Sequence, residues 1–315
     1  MAASPILGIV VPCYNEDEIL EQTAARLVNV IDQLMAKGKI RAESFVFFVD
    51  DGSAHSWEII ESLHRRDQRF KGLKFSANFG HQKALLAGLL AVRERVDCAL
   101  SIDADLQDDL SVVEIMLDKI SAGCDIVYGV KNRRDCDGFL KALCASFFYR
   151  LQRFFGIKNI YNHADFRMVT RRVIDTLEQF SETNVYLRGL FPLMGFPSAQ
   201  VTYDLKPRMG GKSKYSLGRM AILAVDGITA FSPMPLRLIA SFGLFISAIS
   251  FLMGIYSVVS YLNGHVIQGW TSTVVAIYFL GGIQLLSMGI IGEYISKTYG
   301  EVKRRPRYIK EKELF

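Results

Sequence analysis

The segment ILGIVVPCYNEDEILEQTAARLVNVIDQLMAKG (residues 6–38) decides the architecture. ILGIVVP (6–12) is an unbroken apolar run, PCYNEDE is polar, and apolar residues then recur at helical spacing up to Gly38. An unbroken apolar strand is one covered on both faces, and its direct passage into an amphipathic helix is half of a βαβ unit. The pattern repeats. SFVFFVDDGS reads as a strand with a polar end, SWEIIESLHRRD as a helix, GLKFSA as a short strand and GHQKALLAGLLAVRERV as a helix. DCALSIDAD, SVVEIMLDKISAG and CDIVYGV continue as strand, helix and strand. This alternation predicts an α/β domain with a mostly parallel sheet between helices. Ligands bind such sheets beyond the carboxyl ends of the strands, where PCYNEDE, DDGS, NFGH and DADLQDD all fall. No G-x-G-x-x-G or G-x-x-x-x-G-K-[ST] follows any strand, which argues against a dinucleotide-binding dehydrogenase and a P-loop NTPase.

The chain is 50% hydrophobic and 22% charged, and the two characters are segregated. From Leu238 to Gly292 there is no Asp, Glu, Lys or Arg. LIASFGLFISAISFLMGIYSVVSYL (238–262) and TSTVVAIYFLGGIQLLSMGIIG (271–292) are each long enough to cross a hydrocarbon core of about 30 Å. The loop between them, NGHVIQGW, carries no Lys or Arg, whereas KTYGEVKRRPRYIKEK after the second is strongly basic and Arg237 precedes the first. By the positive-inside rule both ends of this hairpin are expected in the cytoplasm, together with the residues before it. MAASPILGIVVPCYNEDE has neither the basic start nor the apolar length of a signal peptide. The five cysteines show no metal-ligand spacing and read as reduced packing residues. A net charge of +5, gathered in clusters, suits anionic lipid better than nucleic acid.

The expected layout is a catalytic domain over 1–214, an amphipathic connection over 215–235, two membrane helices at about 237–262 and 271–295 within 236–296, and a basic tail over 297–315. FLKALCASFFYRLQRFF (139–155) places its apolar residues on one helical face, which fits a core-facing helix and an interfacial one equally.

In SIDADLQDDL (101–110), Asp103 and Asp105 can turn to one side at a strand end, with Gln107 as a third oxygen. Hard cations such as Mg²⁺ or Mn²⁺ take such ligands and share them with phosphates. A D-x-D alone discriminates poorly, because surface turns use Asp freely. Asp108 and Asp109 are expected to begin the next helix, whose dipole favours acids.

VVPCYNEDE, FVDDGS, NFGHQKALLAGL, DADLQDD, DFRMV and GGKSKYS follow the order seen in family 2 glycosyltransferases, and the chain resembles those of the dolichol-phosphate mannose synthase type. LGGIQLLSMGIIGEYISKTYGEVKRRPRY resembles the hairpin and tail of the bactoprenol glucosyltransferases. The resemblance implies a GT-A domain that transfers a sugar, with inversion, from a nucleotide diphosphate sugar to a polyprenyl phosphate. UDP-glucose and undecaprenyl phosphate are the expected pair, with UDP-GlcNAc or GDP-mannose as rival donors. It also implies a divalent metal (Mg²⁺ or Mn²⁺), the bacterial inner membrane as location and a homotetramer. A non-catalytic scaffold is the reading from a different class, and it predicts degraded site residues.

Carried onto this chain, Pro12, Tyr14, Asn15, Glu16, Asp51, Asp103, Arg208 and Lys214 are expected to bind the nucleotide sugar, with Asp51 near the base. Asp103, Asp105 and Gln107 would hold the metal, and Asp105 counts with Asp165 as catalytic. Asp165 stands where the family's base is assigned, although an ionised phosphate nucleophile scarcely needs one. Arg133, Arg134, Lys212 and Ser213 are candidates for the acceptor phosphate. His81 and Lys83 read only as polar residues at a helix start.

Overall fold

A computed structural model describes residues 4–132, 163–183, 185–204, 234–263 and 269–315. Two compact units separate. The first holds the described residues up to Asp204 together with Arg305–Phe315, and the second holds those from Met234 to Arg304.

The first unit is built on an eight-stranded sheet. Its strands are β1 (Leu7–Cys13), β2 (Phe45–Asp50), β3 (Phe70–Phe75), β4 (Cys98–Ser101), β5 (Ile126–Lys131), β6 (His163–Thr170), β7 (Ser198–Tyr203) and β8 (Lys310–Leu314). The order across the sheet is β7-β5-β6-β4-β1-β2-β3-β8. β3, β2, β1 and β4 run parallel, as the alternating sequence predicts. β6 runs antiparallel between β4 and β5, and β8 runs antiparallel along β3. The result is a mixed, mostly parallel sheet of GT-A type.

Every residue of β1 and β2 is buried, which explains their unbroken apolar composition. Helix α1 (Leu20–Ala36) turns Leu20, Leu27, Ile31 and Leu34 inward, each stabilising by about 1.5–3 kcal/mol on burial. Helices α2 (Ser56–Arg66), α3 (His81–Val92) and α4 (Val113–Ser121) follow β2, β3 and β4. Gly88 lets α3 lie close on the sheet, since a Cβ there would stand 2.4 Å from Val10 Cγ1. Two short helices, α5 (Arg171–Glu178) and α6 (Leu187–Leu193), lie between β6 and β7 in the chain. Cys13 and Cys98 are buried free thiols, and burial pushes Cys98 up to about 12. Both behave as packing residues.

The pairing of β1 with β4 ends at Val10–Ser101, whereas its pairing with β2 continues to Cys13–Asp50. β1 thus runs past its β4 pairing at the carboxyl end, at the switch point of an open α/β sheet, where such sheets bind ligands. Pro12 sits where β1 has lost one neighbour, so its missing N–H costs no ladder bond on that side.

The second unit contains α7 (Met234–Leu262) and α8 (Trp270–Val302), of 29 and 33 residues. Both are long and apolar enough to cross a membrane, and neither candidate span is buried. Their exposed Leu244, Phe245, Phe251, Leu285 and Met288 form an apolar surface that water would not tolerate.

The tail reading missed β8. Residues 310–314 add an edge strand to β3, and Phe315 packs on Phe47 with ring centroids 5.1 Å apart. The Arg95 guanidinium also lies over that ring, 3.7 Å from its centre.

Candidate active site

Antiparallel pairing sets the site. Ser101 pairs with Arg167, so the next residues of β4 and the first residues of β6 approach one another beyond the sheet edge. The Ser101 hydroxyl secures this by donating to the Asp165 carbonyl at 2.5 Å. α3 begins at the same edge. Its first residue, His81, places Nε2 3.5 Å from Asp103 Oδ1 and 3.3 Å from Asp165 Oδ2.

Asp165 is the centre of the cluster. Its Oδ1 accepts from Arg167 Nη2 at 2.5 Å and from Arg188 Nε at 3.3 Å. Its Oδ2 accepts from Arg188 Nη2 at 3.0 Å and from Gln82 Nε2 at 3.1 Å. Only 4% of the side chain is exposed. Burial alone would raise this carboxyl, but the His81 hydrogen bond and the two guanidiniums outweigh it and hold Asp165 well below the usual range. Burial likewise lowers His81, and the Asp165 bond with the Asp103 and Asp165 charges reverses that into a net rise. Arg167 is fully buried, with its guanidinium 4.7 Å from the Phe191 ring centre, and burial lowers it. Arg188 is 40% exposed and raised above its ordinary value, Asp165 prevailing over burial.

Gln82 uses both ends of its amide. While Nε2 donates to Asp165, Oε1 accepts from the Leu187 N–H at 3.1 Å, which fixes the start of α6 and so Arg188 beside it. His81, Gln82, Arg167 and Arg188 all escape a reading by residue type. His81 and Gln82 lie in NFGHQK and Arg167 in DFRMV, where their residue types alone assign no role. Arg188 shows just one faint signal, a lone cation among the buried Val185, Leu187, Leu190 and Phe191.

Metal capacity is concentrated on Asp103. Its Oδ1 is buried and, among the described residues, has no hydrogen-bond partner beyond the 3.5 Å approach of His81 Nε2, and ligand atoms of His81, Asp103 and Asp165 lie within 4.8 Å of one another. A buried carboxylate oxygen left unpaired is costly, and a cation relieves that cost. Burial pushes the Asp103 carboxyl up, His81 opposes, and Asp165, Asp108 and Asp105 add to the rise. Asp165 is already engaged by two guanidiniums, so Asp103, approached only by His81 among the described residues, is the member more open to a cation. Asp105 lies outside that trio, its Oδ1 accepting from Gln107 N at 3.3 Å in a local turn. Leu106 between them adopts φ +44°, an uncommon conformation for a non-glycine residue.

Asp109 caps the helical turn ahead of α4, its side chain accepting from Ser111 N at 3.1 Å. Asp108 does not start that helix. It is buried, accepts from the Tyr203 hydroxyl, and lies 3.6 Å from Lys131 Nζ. A carboxylate offered both a phenol and an ammonium is drawn inward, and Asp108 ties the loop after β4 to β5 and β7.

The loop after β1 lies at the same carboxyl end of the sheet. Tyr14 is 40% exposed, Asn15 takes φ +53° and its N–H donates to Ser53 Oγ at 2.9 Å, and Glu16 N donates to Ser56 Oγ at 3.3 Å. Asp50 closes its own turn, accepting from Ser53 N at 3.0 Å. Asp51 works between loops, with Oδ1 accepting from Phe79 N at 2.7 Å and Oδ2 from Gly80 N at 2.9 Å. Arg133, Arg134, Arg208, Lys212, Ser213 and Lys214 lie outside the described residues, as do helix 139–155 and nearly all of the 215–235 connection.

A sheet of this order, with an acidic and cationic cluster at its switch point, defines a glycosyltransferase of GT-A fold. The model of glycosyl transferase family 2 matches residues 8–178, and that of the GtrB C-terminal hairpin matches 234–298. The chain belongs to family 2 of the glycosyltransferases. It is 46% identical over 314 residues to the uncharacterised glycosyltransferase YkoT of Bacillus subtilis, covering 99% of this chain and 93% of that one. It is 36% identical over 309 residues to the SfII prophage-derived bactoprenol glucosyl transferase of Shigella flexneri, covering 97% of both. Among solved structures, the mannosyltransferase PcManGT of Pyrobaculum calidifontis, in complex with GDP-Man and Mn²⁺, shares the fold. That likeness has a TM-score of 0.50 and 14% identity over 96% of this chain and 86% of that one.

Proposed function

We propose that this glycosyltransferase moves glucose from UDP-glucose to undecaprenyl phosphate at the cytoplasmic face of a bacterial inner membrane, leaving a lipid-linked sugar for later surface glycosylation. One observation carries the reading: a chain with an acidic and cationic cluster at its sheet edge also matches, over nearly its full length, a protein named bactoprenol glucosyl transferase. The apolar hairpin lies in the chain between β7 and β8, which belong to one sheet. Strands of one sheet share one compartment, so a two-helix crossing that returns to its starting side fits this connectivity, and the basic flanks favour the cytoplasm.

Asp103 is the main metal ligand in this reading, with Asp105 and Gln107 completing an oxygen set if the loop turns. A bound Mg²⁺ or Mn²⁺ supplies Lewis-acid stabilisation of charge on the leaving diphosphate. Tyr14, Asn15 and Glu16 border the nucleotide beside Pro12, and Asp51 holds the loop next to the base. Asp165 acts as a fixed anion. Two guanidiniums keep it ionised, and a phosphate acceptor with its second pKa near about 6 is ionised without help. Asp165 therefore orients Arg188 and His81 around the sugar and phosphates rather than removing a proton. Arg208, Lys212, Ser213 and Lys214 bind phosphate oxygens of the donor and acceptor, and Arg133 with Arg134 meets the acceptor phosphate. The working unit is a homotetramer.

The test incubates the purified full chain with labelled UDP-glucose, undecaprenyl phosphate and Mn²⁺, and follows label into lipid. Product from UDP-GlcNAc or GDP-mannose instead changes the donor. No lipid-linked product from any donor overturns the reading in favour of a scaffold.

A further inference from the structure

The chain that follows α8 returns to the first unit beside the loop that delivers His81 and Gln82. β8 runs along β3 with a register shift between Lys74 and Phe75. At that bulge the Tyr308 ring stacks on Phe75, with centroids 4.9 Å apart and planes 14° from parallel. Phe75 in turn meets Phe79 edge-on at 5.7 Å. The Ile309 carbonyl accepts from Ser76 N at 3.1 Å. The loop 76–80 is thus held at its near end by Tyr308 and Ile309. At its far end it is held by Asp51, which takes the Phe79 and Gly80 amides at 2.7 and 2.9 Å. Gly80, at φ +97°, then turns the chain into α3, whose first two residues reach Asp165.

We infer that Tyr308, which the motifs leave unassigned, is a positioning residue for sugar transfer. Its ring fixes Phe75 and Phe79, these set the path of loop 76–80, and the loop sets where His81 and Gln82 meet Asp165. The hydrogen bonds of Asp51 fix only the last two amides of this loop. Without the Tyr308 ring, Phe75 loses its stacking partner, and the near end is left with the Ser76–Ile309 bond and the Phe75–Lys310 pairing of the two strands. Geometry at a reacting centre is sensitive to such supports, because a shift of about 1 Å can cost two orders of magnitude in rate. The stack is an apolar contact, so the phenol oxygen is dispensable to it and Tyr308→Phe should preserve the function.

The activity arm of the test rests on the proposed transfer reaction; the exchange arm does not. Backbone hydrogen exchange at 76–82 is measured on the full chain in detergent for the wild type, Tyr308→Ala and Tyr308→Phe. In Tyr308→Ala, exchange at Ser76, Phe79 and Gly80 is expected to rise about tenfold, with β1 and β2 unchanged, and Tyr308→Phe is expected to match the wild type. In the transfer assay kcat should fall about tenfold with donor KM within about twofold, and Gln82→Ala should leave little further effect of Tyr308→Ala. Unchanged protection at 76–80 in Tyr308→Ala overturns the inference. So does a Tyr308→Phe variant as impaired as Tyr308→Ala, or losses that simply add to those of Gln82→Ala. Should Tyr308→Ala fail to fold, Tyr308→Leu, which keeps the apolar cover but not the stack, carries the same comparison. A wild type that transfers no sugar removes the proposed reaction and leaves the exchange result to decide.

Discussion

Asp165 and Arg167 stand two residues apart on β6, side by side on one face of the strand, with Arg167 Nη2 donating to Asp165 Oδ1 at 2.5 Å. Neither is open to water, the side chains being 4% and 0% exposed. A buried pair of this kind is a weak source of net stability but a costly one to break, since the remaining partner is left charged and desolvated.

Replacing Asp165 by Asn therefore tests stability and chemistry together. The folded carboxyl lies below its unfolded value of about 3.9, so its contribution is complete above that pH and disappears as pH falls through the folded value. Asp165→Asn is expected to lose about 3–5 kcal/mol at pH 7, with the gap from wild type closing below about pH 4. Denaturant unfolding in detergent from pH 3 to 7 reads this directly, and a gap independent of pH would refute the charged pair. Donor binding should survive while most turnover is lost.

Gln82 separates a positioning role from a charge role. Gln82→Ala releases Asp165 and the start of α6, and is expected to lower kcat about tenfold with donor KM within about twofold. Gln82→Glu should be worse, because a second carboxylate at that site repels Asp165 and has no N–H to donate. Steady-state kinetics on both variants check the order, and the reverse order would exclude the amide bridge.

Two glycines with positive φ give a paired test of loop packing. Gly52 has φ +75°, and a Cβ there would come within 2.4 Å of the Ala77 backbone; Gly38 has φ +66° with nothing within 4 Å. Gly38→Ala is expected to cost about 1 kcal/mol from backbone strain alone. Gly52→Ala should cost about 2–4 kcal/mol and disturb activity, since it pushes the DDGS turn away from loop 76–80. Thermal unfolding and turnover compare them, and equal costs would mean that the two loops do not touch.

Metal dependence turns on Asp103. Chelation is expected to abolish transfer and Mn²⁺ or Mg²⁺ to restore it, while Asp103→Ala should weaken Mn²⁺ binding at least about 100-fold. Electron paramagnetic resonance titration of Mn²⁺ into the full chain measures this apart from catalysis. Wild-type Mn²⁺ affinity in Asp103→Ala would move the site elsewhere.

The parallel half of the sheet was readable because its evidence is local. ILGIVVP and SFVFFVD can only be strands covered on both faces, and each polar cluster follows its strand directly. The site was readable only in pieces. Asp103 and Asp165 meet through the antiparallel register of β4 and β6, which no short window encodes. His81 looked like an ordinary helix start until that register placed two carboxylates beside it. Residues 310–314 read as a charged tail because an edge strand tolerates Lys and Glu on both faces, and only the pairing with β3 identifies them as a strand. Asp108 misled for the opposite reason, since local preference pointed to a cap while Tyr203 and Lys131 drew it inward.

The position of β8 also orders events during synthesis. Its residues leave the ribosome after both apolar helices, so the β3 edge stays unpaired until the hairpin has been translated. An open β3 edge, with Phe47 and Phe75 still lacking their Phe315 and Tyr308 ring partners, is a hazard while the chain is nascent. The sheet is therefore completed, and Tyr308 reaches its place, only in a chain whose two apolar helices have already been translated.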